Sequence, residues 1–360
     1  MPRGQTWRRR YRKEMSRRLG LHTGFSTTHL AGGIDLHVLV DDKFKTTAAT
    51  MVLHTRLGRD SVTENALIPR VLRRGTASIP DTVRLERRLE DLYGTSLDVG
   101  VSKKGLRHLL AFQVEVAHER YIGTRQGLFR DGMDLLREMA FEPAPGSGGG
   151  LREDYVEQEK ENLRRLIESL IDDKQAWAMR RCIEEMFPEG DIALFKYGRV
   201  EDIDGIDASQ LKESHSKLLS SCPIDIFVVG ACDEERVIDD VGEAFSSVDR
   251  RVSALPAASD GTDADREPRS PKSVIETMDV SQGNLVMGFR TGLRMGDSDY
   301  PAMMVANGVF GRYSHSKLFQ VVREREALAY SVWSMIEPSR GLMWVTAGIG
   351  FGSYDKCVEL

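Results

Sequence analysis

The residue types that most often run enzyme chemistry are present in this chain but never grouped for it. The eight histidines (His22, His29, His37, His54, His108, His118, His215 and His315) are nowhere four residues apart. No helix can therefore turn two imidazoles toward one shared metal ion. No HExxH or HxxEH string occurs, and His118 beside Glu119 lacks ligand spacing. The four cysteines, Cys182, Cys222, Cys232 and Cys357, contain no CxxC pair and read as buried or partly buried thiols. Arg323 and Tyr330, in VVREREALAYSVWS, bring a charged donor fork and a phenol. On local sequence alone they read as a helix-end arginine in a surface ion pair and a half-buried tyrosine.

Other clusters have plainer readings. Lys103–Gly105 is a hairpin turn. The glycine run at Gly146 is a flexible loop, out of context for a phosphate cradle. Glu157, Glu159, Glu161 and Glu168 form a solvated helical face, while Met186 and Phe187 belong to a core.

The elements that must hold these residues follow from periodicity. Strands are predicted at Ile34–Val40 and Thr46–Leu57. A short helix capped by Thr63 or Asn65 follows, with Pro69 close to its start. Asp81 caps a helix that Gly94 stops, and two strands flank the Lys-Lys-Gly turn. A helix from near Thr124 to Met139, the loop Pro143–Gly150 and a long helix from Arg152 to Phe187, interrupted near Ile171, come next. Asp207 caps a helix to Leu219, then a strand spans Ile224–Gly230 and a helix Glu234–Phe245. Residues 251–273 are rich in Pro, Ala, Ser, Gly and charge and read as a linker. Beyond it the pattern restarts, with strands at Asn284–Phe289, Tyr330–Ile336 and Met343–Gly348 and helices at Ser298–Val309 and Ser316–Glu326.

At 360 residues the chain is long enough for two α+β units. The expected division is a basic N-terminal arm at 1–33, a first unit at 34–250, the linker at 251–273 and a second unit at 274–360. The second unit is too short to mirror the first and is expected to be C-terminally incomplete. A net charge of -5 disfavours nucleic acid as a partner, and the basic residues among the first eighteen read as a solvated arm. No run of about 18 apolar residues predicts a membrane span. Few cysteines and no secretory signal fit a reducing cytoplasm.

Ordered blocks along the chain resemble the insulinase-like, or processing-peptidase-like, metallopeptidase superfamily, and in particular its bacterial non-catalytic branch. They are DDKFKTT at Asp41, ALIPRVLRRGTASIPDT at Ala66, LEDLYG at Leu89, VSKKG at Val101, IESLIDDK at Ile167, RCIEEMF at Arg181, IDIFVVG at Ile224 and SKLFQVVREREALAYSVWS at Ser316. The resemblance implies an α+β fold of two homologous α/β-sandwich halves that close like a clamshell on an extended peptide. It places zinc on an HxxEH helix of the first half plus a later glutamate. Counting back from Arg74–Thr76, the first histidine position is Ala66, the glutamate position Pro69 and the second histidine position Arg70. The third ligand position falls on Leu166. None of these side chains can do its assigned task, since alanine, proline and leucine offer no ligand atom and arginine stays protonated.

The resemblance further implies that Arg323 and Tyr330 contact the substrate backbone near the scissile bond. The expected function is therefore a non-catalytic subunit that lends Arg323 and Tyr330 to an HxxEH-bearing partner acting on a peptide, with zinc in the partner only. The alternative is a structural or peptide-binding module with no part in proteolysis. An active peptidase with a displaced zinc site is a third reading, against which Ala66, Pro69 and Arg70 weigh heavily.

Overall fold

The computed structural model describes residues 24–123, 127–248, 250, 252 and 270–360. Most of the predicted arm and linker, and the predicted helix start near Thr124, lie outside the described residues. β1 (Ser26–Leu30) and β2 (Ile34–Val40) form a hairpin about Gly32 and Gly33, and β3 (Thr46–Arg56) follows. Alternation sets their faces: Ile34, Leu36 and Val38 of β2 and Ala49, Met51 and Leu53 of β3 are buried, while Asp35, His37 and His54 lie on the half-exposed side.

α1 spans Val62–Leu72 and corrects the sequence reading, because its cap is Ser61 and Pro69 falls in its second half. Proline there removes the bond its own N–H would have made and crowds the carbonyl of Asn65. The neighbouring turns stay closed, with Asn65 N donating to Ser61 O at 2.9 Å and Arg73 N to Pro69 O at 3.1 Å. α2 (Thr82–Asp91) starts as expected on Asp81, whose carboxylate accepts from Arg84 N at 2.8 Å. β4 (Ser96–Lys104) and β5 (Arg107–Ala117) turn at Gly105, which has φ +58°.

α3 (Leu128–Phe141) leads into the glycine-rich segment. That segment is not a free loop: Pro143 bridges to Thr76 and Pro145 to Leu151. The predicted long helix divides into α4 (Glu153–Glu168) and α5 (Lys174–Met186), with a 3-10 turn at Ser169–Asp172 between them. A single turn, α6 (Val200–Ile203), precedes α7 (Ala208–Ser221), which Asp207 caps. β6 (Ile224–Gly230) and α8 (Glu234–Ala244) complete this part.

The six strands run in the order β1-β2-β6-β3-β5-β4, with β6 parallel to β2 and antiparallel to β3. The helices bury one face of this sheet through Leu67, Leu85, Leu136, Leu163 and Leu211. A second sheet is built from β7 (Gly283–Arg290), β8 (Ala329–Glu337) and β9 (Leu342–Ile349), in the order β7-β9-β8, all antiparallel. Between β7 and β8 lie α9 (Tyr300–Asn307) and two π-helical segments, Gly308–Arg312 and Phe319–Arg325; α10 (Tyr354–Glu359) follows β9. The architecture is mixed α+β, as expected.

The plan of the second sheet repeats part of the first, since β3-β5-β4 and β7-β9-β8 have the same sequence order and strand order. The turn that leads into β4 is repeated before β8. Thr95 N donates to Leu89 O at 3.2 Å and Leu328 N to Val322 O at 2.9 Å, closing each helix across six residues. Gly94 takes φ +71° in the first turn, and Ala327 takes φ +51° at the equivalent place in the second.

α5 joins the two sheets by packing on the second. Phe187, Ile192, Leu342 and Trp344 form a buried cluster with Leu106, Met179, Cys182, Met186 and Met335 around it. Gly288 is required for that approach, because a Cβ there would lie 2.3 Å from Met186 Sδ. Beside this cluster Lys103 donates to the carbonyls of Ile192 and Leu194, with Arg340, Arg180, Glu337 and Glu184 facing it. Burial pulls its amine from about 10.5 down to about 7, with Arg340 adding to the effect and Glu337 opposing it.

The folded chain thus releases this proton near pH 7, while the unfolded chain keeps it to about 10.5. Stability is fully present above 10.5 and is lost as pH falls toward 7. Urea titrations at pH 7 and pH 9 are expected to differ on the order of 2 kcal/mol from this group. Lys103→Met should remove that increment; an unchanged slope would refute the assignment.

Candidate functional site

Residues 63, 66 and 70 share one face of α1, and that face is covered by the chain itself. Gly198, at φ +77°, presses against Thr63 so closely that a Cβ would lie 2.0 Å from Thr63 Oγ1. Arg199 N donates to the same hydroxyl at 3.3 Å, and Thr63 Oγ1 donates to Asp202 Oδ2 at 3.0 Å. Ala66 and Pro69 are buried, and the Arg70 guanidinium stands 5.6 Å over the Tyr197 ring. On α4, Leu166 packs half-buried against the main core. The buried carboxylate on that helix, Glu159, accepts from Arg74 Nη1 at 3.2 Å and Asn162 Nδ2 at 3.1 Å.

These residues do not fit a zinc ion. The positions that the resemblance assigns to ligands supply a methyl group, a pyrrolidine ring, a permanent cation and an isobutyl group. Among the described residues no three His, Cys, Asp or Glu side chains converge to hold a metal. Purified chain dialysed against a weak chelator is therefore expected to retain less than about a tenth of an equivalent of zinc, since an intact three-ligand site binds tightly. Retention near one equivalent would overturn the ligand mapping.

The histidines take part elsewhere. His37 Nε2 lies 2.9 Å from Asp225 Oδ1, and His54 Nε2 lies 2.6 Å from Asp225 Oδ2 as a close but poorly directed contact. Burial lowers the His54 pKa, with Asp225 opposing. Sequence reasoning missed this cluster because β6 inserts between β2 and β3 from far along the chain. His108 and His215 are buried and pushed by burial to about 4, so both are neutral near pH 7. His215 pairs with the carbonyl of Ala140 at 2.8 Å.

Arg323 and Tyr330 are brought together by the turn at Ala327. They line one open cleft of about 460 Å³ with Gln282, Glu324, Gly348 and Gly350. Tyr330 is 59% exposed, and its hydroxyl accepts from Gln282 Nε2 at 3.2 Å. Its ring packs against β9 where Gly348 has no side chain; a Cβ there would sit 2.1 Å from Tyr330 Cε1. The Arg323 guanidinium is 4.6 Å from the Phe319 ring centre, and its carboxylate contact is Glu324 at 3.8 Å. Its donors are therefore backed by a ring and open to the cleft. Ala327 holds a left-handed backbone that disfavours a side chain, which marks this turn as strained.

The profile of the Peptidase M16 inactive domain matches residues 205–360. The chain is 38% identical over 329 residues to YmfF of Bacillus subtilis, described as a probable inactive metalloprotease, covering 91% of this chain and 76% of that protein. It is 24% identical over 219 residues to the Bacillus subtilis subtilosin biosynthesis protein AlbE, covering 59% of this chain and 51% of that protein. A conserved protein of Enterococcus faecalis superposes with a TM-score of 0.81 at 29% identity, covering 94% of this chain and 78% of that one. Similarity of this extent to YmfF, together with the inactive-domain profile, shows that the chain belongs to the M16 peptidase family, as a member whose sequence carries no HxxEH motif.

Proposed function

We propose that this chain is a non-catalytic subunit of an insulinase-like peptidase, and that Arg323 and Tyr330 hold the backbone of a peptide which a zinc-bearing HxxEH partner cleaves. The observation that carries the reading is their convergence in one open cleft while the metal positions of α1 are lost. Guanidinium and phenol are both donors, suited to a peptide carbonyl and to the oxyanion formed from it. On this reading residues 34–250 and 274–360 are the two halves of a clamshell joined by the linker at 251–273. The partner supplies zinc and general base. The place of action is the cytoplasm; among the described residues no helix is long and apolar enough to cross a membrane. AlbE, by its description, takes part in making a bacteriocin, which is in keeping with peptide handling.

The test is reconstitution with an HxxEH-bearing M16 subunit. Peptidase activity should require both chains, and it should fall when the Arg323 guanidinium is removed. A second reading rests on β4, which among the described residues pairs only with β5 and leaves its other edge open. An extended peptide could add there as a strand, giving a binding module without proteolysis. Activity of the partner that is indifferent to this chain would favour that reading.

A further inference from the structure

Most cations around α1 are matched by a carboxylate. Arg73 pairs with Glu86 at 2.9 Å, Arg74 with Glu159 at 3.2 Å and Arg199 with Asp202 at 2.8 Å. Arg70 and Lys196 are exceptions: among the described residues neither has an ion pair. Both are half-buried, where an unmatched charge loses part of its hydration. Each stacks on the same ring, Arg70 Cζ at 5.6 Å and Lys196 Nζ at 4.6 Å from the centre of Tyr197, so the two charges stand no more than about 10 Å apart. Salt screens much of their mutual repulsion at the far end of that range, but an anion seated between them would lie within the Debye length of about 8 Å from both charges.

The platform is fixed rather than fortuitous. Tyr197 meets Phe195 edge to face at 5.3 Å, and the next residue, Gly198, is seated on Thr63. We infer that the place where Arg70, Lys196 and Tyr197 meet binds a carboxylate of a peptide, supplied by an acidic side chain or by a free C-terminus. The inference rests on the reading that the chain handles peptide, but it concerns α1 and not the Arg323 cleft. The guanidinium fork matches the two oxygens of a carboxylate, and the ammonium adds a point charge. A polyanion such as nucleic acid is disfavoured by the net charge of -5. Where the resemblance places the second histidine, this chain carries a cation in the same helical position, which would hold an acidic group rather than a metal.

The test uses the full chain and three fluorescently labelled, otherwise identical ten-residue peptides. One carries a single Glu and a C-terminal amide, the second a Gln and a free C-terminal carboxylate, and the third a Gln and an amide. At least one of the first two should bind about tenfold or more tightly than the third, as for a charge-assisted contact. Whichever does so identifies the source of the carboxylate. The preference should vanish in Arg70→Gln and, separately, in Lys196→Gln, each checked for an unchanged melting temperature. It should persist in Arg87→Gln, a change at an exposed position on α2. Equal binding of all three peptides would overturn the carboxylate site while leaving peptide handling intact. A preference that survives both substitutions would overturn the location, and binding of none would overturn both readings.

Discussion

Arg323→Ala, assembled with a zinc-bearing subunit, is expected to lose about 10²-fold or more in kcat/KM, the size of effect seen when one oxyanion donor is removed. The structure gives little reason for that change to unfold the chain. The Arg323 side chain is 43% exposed, its closest carboxylate is 3.8 Å away and equally open to solvent, and its remaining support is the Phe319 ring. What disappears is therefore the donor fork offered to the cleft. Arg323→Lys keeps the charge but not the fork, and should fall between the parent and the alanine variant. The kinetic split identifies the step. Equal falls in kcat and kcat/KM mean that the guanidinium acts on the transition state, whereas a raised KM alone means that it only holds substrate. Full activity of an assembled Arg323→Ala complex would remove the subunit reading and leave the binding module.

Why the proximity of Arg323 to Tyr330 was within reach of the sequence, and the α1 platform was not, comes down to separation along the chain. Arg323 and Tyr330 are seven residues apart across a turn, so a helix end and a strand start were enough to bring them together. The absence of an HxxEH string was legible as well, and the positions that the resemblance assigns to ligands, Ala66, Pro69 and Arg70, lie on one unbroken string anchored by Arg74–Thr76. That Tyr197 and Gly198 cover that string depends on contacts with Thr63 more than 130 residues away, which no periodicity reports. The same limit hid the sheet order: β2 and β3 are adjacent in sequence, yet β6 lies between them. Composition misled at Pro143–Gly150, where glycine suggested freedom and the bridges of Pro143 to Thr76 and Pro145 to Leu151 impose order. Pro69 misled in a subtler way. Proline is common in a first turn, which drew the predicted helix start toward it, but the burial of Val62, Ala66 and Leu67 extends the helix upstream and outweighs one missing hydrogen bond.

Trp344→Ala is expected to cost about 3–5 kcal/mol, a large share of a typical domain's stability. Trp344 is fully buried between β9 and α5, in contact with the cluster of Phe187, Ile192 and Leu342, and its removal opens a cavity where the two sheets are joined. Trp344→Phe separates packing from hydrogen bonding. Among the described residues the buried indole Nε1 has no acceptor, so exchanging the indole for a benzene ring discards a polar group that gains nothing from its burial. That variant should stay within about 1.5 kcal/mol of the parent in urea titrations. Comparable losses for both variants would show that the indole N–H has a partner after all. The functional consequence follows from topology. β9 carries Trp344 on one side and Gly348, the seat of Tyr330, farther along, while β8 carries Tyr330 itself. Loosening Trp344 therefore frees the strand pair that sets the distance between Tyr330 and Arg323. Trp344→Ala should impair the assembled complex even at temperatures where the chain stays folded, whereas Trp344→Phe should not.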